Sequence, residues 1–129
     1  AENVAVIGEP GSVIDGSDCY DPAGEEKFRG PMGMVFSRCR GVTLKGYTYR
    51  NAANWAHQLD SCTNVRMDHV TVLGGHDGIN IHHCVGVTIE NCDFRTGDDC
   101  VAGIDNINTT VTDTELNTAC SAFRFGGDE

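Results

Sequence analysis

Gly86-Val87-Thr88-Ile89 has three echoes in the chain, Gly41-Val42-Thr43-Leu44, Asn64-Val65-Arg66-Met67 and Asn108-Thr109-Thr110-Val111, and the four starts are separated by 23, 22 and 22 residues. Asn3-Val4-Ala5-Val6 is an earlier copy, set apart by an insertion. A period in this range, carried by short alternating segments and by no apolar stripe of helix length, marks a β-solenoid whose turns stack on one another. The phase of the repeat sorts side chains into columns. Cys39, Cys62 and Cys84 share one, and His57, Ile79, Val101 and Phe123 share a second. Leu59, Ile81, Gly103 and Phe125 make a third, and Leu44, Met67, Ile89 and Val111 a fourth. Like residues stacked at roughly 4.8 Å, the spacing of hydrogen-bonded strands, fill a narrow core layer by layer. Polar residues alternate with them, so each strand has a buried and an exposed face. The strands are expected to run parallel, in an all-β coil.

At about 22 residues per turn, the 129 residues predict one β-helix segment, 1–129, of about five to six rungs. Solenoids are closed by atypical polar repeats, and neither end of the chain reads as one, so an excerpt of a longer domain is expected. The clear interruption is the stretch 17–33, rich in glycine, proline and charge. It predicts a loop projecting from the coil. Its composition reads first as a solvated excursion; the functional alternative is a wall of a substrate cleft carried by Tyr20, Phe28 or Arg29.

Seven cysteines are an odd number, and their placement argues against a disulfide scaffold. Cys39, Cys62 and Cys84 lie on one ladder and Cys92 shares a column with Tyr47 and Val70, so these four read as small core residues. Cys100 and Cys120 flank an acidic cluster, where a reactive thiol is the alternative to packing. No cysteine–histidine spacing supports structural zinc, and His82 and His83, being consecutive on a strand, face opposite sides, so no transition-metal site and no cofactor are expected. The net charge of −10 speaks against nucleic acid, which calls for a basic face. No apolar run is long enough for a membrane-spanning helix, and no membrane partner is expected.

The same repeat carries Asp77 and Asp99 into one column on consecutive turns, with Asp98 beside them. A single such Asp is an ordinary turn residue hydrogen-bonded to backbone amides. Three in register gather acid and base groups at one spot, and crowding of like charges makes one of them resist ionisation. That is the requirement of acid–base hydrolysis.

Four segments carry a resemblance: Gly11-Ser12-Val13-Ile14-Asp15-Gly16, Asn51-Ala52-Ala53-Asn54-Trp55, His76-Asp77-Gly78 and Thr96-Gly97-Asp98-Asp99-Cys100. In this order and spacing the chain resembles the polygalacturonase family, glycoside hydrolase family 28, whose members are right-handed parallel β-helices. The resemblance implies that Asp98 is the general acid while Asp77 and Asp99 position and deprotonate the attacking water. It implies inverting cleavage of a pectin-type galacturonide or related polysaccharide or oligosaccharide, by a protein secreted or held at the cell surface. The chain departs from the family at two places. Ala119-Cys120-Ser121 stands where the family has Gly-His-Gly, and the family's Arg-Ile-Lys segment has no counterpart before Glu129. His76, in the column of Asn54, Asp98 and Cys120, is the candidate to supply the histidine, and Arg124 the candidate to hold a sugar. Trp55, in the column of Asp77 and Asp99, is either a sugar-stacking platform or a core residue. The acidic chain makes a neutral or rhamnose-containing glycan a rival substrate. Two other readings compete: a calcium-dependent lyase, since carboxylates suit calcium, and a non-catalytic glycan-binding or structural module of the adhesin or tail-fibre kind.

Overall fold

The computed structural model describes residues 1–126, and they form a parallel β-solenoid. The first sheet holds β1 (Glu2–Ile7), β4 (Arg40–Lys45), β7 (Thr63–Asp68), β10 (Val85–Glu90) and β13 (Ile107–Thr112). The second holds β2 (Val13–Asp15), β5 (Thr48–Arg50), β8 (Thr71–Leu73), β11 (Asp93–Thr96) and β14 (Glu115–Thr118). The third holds β3 (Met34–Ser37), β6 (His57–Asp60), β9 (Ile79–His82), β12 (Val101–Ile104) and β15 (Phe123–Gly126). From β1 to β13 the coil makes four full turns, and β14 and β15 take it into a fifth. That is fewer than the five to six expected, because the first turn spends extra residues on its loop: Glu2 pairs with Arg40, whereas Val85 pairs with Ile107.

The registers match the sequence columns. Leu44, Met67, Ile89 and Val111 are successive partners, as are His57, Ile79, Val101 and Phe123. The inner members are fully buried, and each such side chain contributes roughly 1.5–3 kcal/mol by leaving water. The outermost are not. Phe123 and Phe125, expected in buried stacks, are each 49% exposed because no described strand packs beyond β15. Cys39, Cys62, Cys84 and Cys92 are buried free thiols, as their columns predict.

The Gly/Asn starts of the repeat have a backbone cause. Asn3, Gly41, Asn64, Gly86 and Asn108 take φ of 53°, 81°, 55°, 75° and 60°, the left-handed region where most L-residues pay roughly 1–2 kcal/mol and Gly and Asn pay least. Each sits at the same phase of its turn, one rung above the last. His69 and His83 occupy two other left-handed corners, with φ of 52° and 55°, and face Asp68 and Asp105.

The insertion between β2 and β3 contains a 3-10 turn, Ser17–Cys19, and one short helix, α1 (Glu25–Phe28). It does not simply project into solvent. The Gly30 amide donates to the Ala53 carbonyl at 3.0 Å, and the Tyr20 hydroxyl to the Ala52 carbonyl at 3.1 Å. These bonds fold the loop back over the turn that precedes β6. No helix among the described residues is long and apolar enough to cross a membrane.

Candidate active site

The turn before β9 carries Asp77, and the turn before β12, one rung on, carries Asp98 and Asp99. Both turns are pinned between rungs: the Ala56 amide donates to the Asp77 carbonyl, and the Gly78 amide to the Asp99 carbonyl, each at 2.9 Å. A Cβ on Gly78 would lie 2.7 Å from the Cys100 carbonyl oxygen, so the rungs approach too closely here for any other residue. Thr96 closes the second turn, its hydroxyl donating to the Asp98 carbonyl at 2.6 Å, and the Thr118 hydroxyl on the next rung bonds the same oxygen.

One amide draws two carboxylates together. The Asp99 N–H donates to Asp77 Oδ1 at 3.1 Å and to Asp98 Oδ1 at 2.9 Å. The pattern repeats one rung later, where the Ser121 amide donates to Asp99 Oδ1 at 3.2 Å. Asp77 and Asp99 are only 5% and 4% exposed, while the Asp98 side chain is 37% exposed. Asn80 Nδ2 donates to Asp77 Oδ2 at 2.7 Å. Burial pushes the Asp77 carboxyl up to about 6; the Asn80 bond opposes that rise and the charges of Asp98 and Asp99 add to it. The carboxyl that resists ionisation is therefore Asp77.

All three carboxylates face one open cleft of about 620 Å³, whose walls include Trp55, Asn80, His82, Arg29 and Arg124. Arg124 Nε donates to Asp99 Oδ2 at 2.8 Å. Arg29 comes from the loop, with a guanidinium nitrogen 3.7 Å from Asp98 Oδ2 and another donating to Asn54 Oδ1 at 3.2 Å. Two guanidinium groups thus flank the carboxylates, Arg29 from the loop and Arg124 from β15. Trp55 is half-buried on the cleft wall, its ring meeting the edge of His82 at 5.7 Å between centroids.

Of the residues anticipated from sequence, Asp77, Asp98, Asp99, Trp55 and Arg124 come together in this cleft. His76 does not stand with them: it is buried, with its ring 6.5 Å from that of Tyr20 under the loop. The histidine on the cleft wall is His82, whose Nε2 lies 2.5 Å from Asn80 Oδ1. Asn80 and His82 were legible in principle, because alternation along β9 turns Ile79 and Ile81 inward and these two outward. Arg29, one of three loop residues offered for a cleft wall, is the one on that wall; the sequence did not single it out from Tyr20 and Phe28, since no periodicity governs an irregular loop. Cys100 is buried, and burial raises its thiol, which removes it as a reactive group.

Asp98, Asp99 and Cys120 place one ligand atom each within 4.8 Å of one another, the closest approach to a metal cluster among the described residues. The guanidinium of Arg124 already sits there, bonded to Asp99 and reaching Cys120 Sγ at 3.5 Å. A fixed cation beside a soft sulfur ligand is a poor match to calcium, which takes six to eight oxygens.

Residues 1–121 match the glycosyl hydrolases family 28, and the chain belongs to that family. It is 23% identical over 128 residues to a polygalacturonase of Saccharomyces cerevisiae, covering 91% of this chain and 34% of that protein. It is 30% identical over 87 residues to an exopolygalacturonase of Platanus acerifolia, covering 63% of this chain and 23% of that one. A crystal structure of a "putative glycosyl hydrolase" from Parabacteroides merdae superposes with a TM-score of 0.57 at 26% identity, over 68% of this chain and 39% of that one. The chain therefore spans about a third or less of the length of the curated relatives it matches here.

Proposed function

We propose that this chain carries the catalytic rungs of an inverting glycoside hydrolase acting on pectin-type galacturonides, working outside the cell or at its surface where such polymers lie. The observation that carries the reading is the convergence of the Asp77 and Asp98 carboxylates on one amide, with Asp99 beside them, in an open cleft walled in part by a half-buried tryptophan. The names of the relatives support the substrate class. Arg29 and Arg124 favour an anionic sugar locally, although the chain as a whole is acidic.

In this reading Asp98, the most exposed of the three, protonates the leaving oxygen. The buried pair Asp77 and Asp99 takes the proton from water as that water attacks the anomeric carbon from the other face. The raised carboxyl of Asp77 favours a second reading, in which Asp77 is the acid and Asp98 belongs to the base side. The two predict opposite pH limbs. If Asp77 is the base it must be ionised, and turnover falls as pH drops through about 6; if it is the acid, turnover falls as pH rises through the same value.

A substrate series decides between them. Asp98→Asn should lower turnover of polygalacturonate by roughly 100- to 10,000-fold, the usual worth of a placed proton donor. It should recover most of that loss on an aryl galacturonide, whose leaving group needs no proton. Asp77→Asn should lose as much on both substrates. Recovery by Asp77→Asn in place of Asp98→Asn reverses the roles. Absence of hydrolysis by the parent on galacturonides, with hydrolysis of a neutral or rhamnose-containing glycan, moves the substrate class. An unsaturated product detected by ultraviolet absorbance would replace hydrolysis by elimination.

A further inference from the structure

We propose that His82 is a positioning residue of this cleft, an imidazole that fixes which way the Asn80 amide faces and so keeps Asn80 donating to Asp77. The proposal rests on the reading above that Asp77 works in the reaction. Its geometry is a chain of three side chains. Asp77 Oδ2 is a carboxylate acceptor 2.7 Å from Asn80, so the amide presents its Nδ2 there and its Oδ1 on the other side. That oxygen meets His82 Nε2 at 2.5 Å, which makes Nε2 the protonated nitrogen of the ring.

Without a donor on its oxygen side, the Asn80 amide is oriented by the Asp77 carboxyl alone: the ionised carboxylate selects Nδ2, but the protonated carboxyl can equally donate its O–H to Oδ1, so the flipped amide would stabilise the protonated form. The His82 N–H removes that choice. Asn80 is 6% exposed, so water cannot easily make the same selection. Trp55 also packs against the imidazole, the two rings meeting edge-on at 66°. A single side chain thereby fixes the orientation of the Asp77 donor and the tilt of the aromatic wall where a sugar would lie. His82 stands on β9 with Asp60 and Ile104 as its strand partners, so its backbone is set by rungs on both sides.

The test reads the Asp77 carboxyl directly, by carbon NMR titration of the full chain with labelled aspartate, and needs no turnover. The groups around Asp77 are Asp98 and Asp99 from the turn before β12, Arg29 and Arg124 beyond them, His76 on its own turn, and Asp60 across from His82. All are retained in every variant. The Asn80 bond favours the ionised form of Asp77, so loosening it moves the midpoint up. His82→Ala should raise the midpoint by roughly 0.5 pH unit or more. His82→Gln should bring it back toward the parent, since a glutamine amide can place an uncharged N–H near the same oxygen. Asn80→Leu should raise the midpoint at least as far as His82→Ala. An unchanged midpoint in His82→Ala overturns the proposal, and so does a His82→Gln variant that titrates like His82→Ala, because the effect would then be through-space charge. If the shift and its rescue are seen while the parent cleaves no glycan, the hydrolase reading fails and the positioning role stands.

Discussion

Asp77 concentrates the conflict between folding and chemistry at a single residue. The residue is 5% exposed, and the fold favours its protonated form. A carboxyl whose folded value is raised gives stability that is complete below its ordinary value of 3.8 and is lost as pH rises through about 6. Asp77→Asn cannot ionise and escapes that loss. In thermal unfolding, the midpoint of Asp77→Asn should gain on the parent steadily as pH is raised from about 4 to about 7. A constant offset across that range would show that the carboxyl titrates normally and would remove the electrostatic case for Asp77 as an acid. The three acids were legible in the sequence because the repeat places them in register. Which of them resists ionisation was not, since that depends on depth in the cleft and on Asn80.

Strand β6 links this site to the core. His57 heads it in a column that is otherwise apolar, wholly buried, with Nδ1 donating to the Gly78 carbonyl at 2.9 Å and Nε2 accepting from the Tyr47 hydroxyl at 2.8 Å. Both ring nitrogens are used in the neutral form. Burial holds the ring down to about 4, so its contribution to stability is present above its ordinary value of 6.5 and is lost as pH falls toward 4. Replacing His57 by Leu should lower stability at neutral pH, because it leaves the Tyr47 hydroxyl and the Gly78 carbonyl without these partners. It should also flatten the acid side of the stability curve, which chemical denaturation at several pH values would read. An acid limb unchanged in His57→Leu would mean that the buried ring is not what responds to acid. The column position of His57 was visible in the sequence, but its role as a polar joint beneath the Asp77–Gly78 turn required the neighbouring rung.

For the whole molecule, stacking solves packing in the interior and leaves the outermost strands among the described residues, β1 to β3 and β13 to β15, with one strand neighbour each. Phe123 and Phe125 stand stacked on one another, with centroids 6.2 Å apart, on the outermost described strand. Strand edges of this kind recruit other edges. The chain produced alone should therefore show a mass that rises with concentration in light scattering, and Phe125→Lys should reduce the association. A monomer maintained over about a hundred-fold range of concentration would contradict this. The loop belongs to the same scale, because it brings Arg29 to Asp98 across residues remote in sequence.

The repeat, its columns and the Asn/Gly corners follow from sequence alone, because a coil that copies itself every turn must present the same backbone and core demands at the same phase. The register of Asp77 with Asp99 follows for that reason. The rest was decided where the repeat gives no instruction. The irregular loop folded back instead of remaining in solvent, His76 was covered by Tyr20, and His82 took the place on the cleft wall through alternation on β9 and contact with Asn80. Burial raised the Asp77 carboxyl. Such outcomes depend on contacts between side chains from separate turns and from outside the coil, and a one-dimensional period carries no information about them.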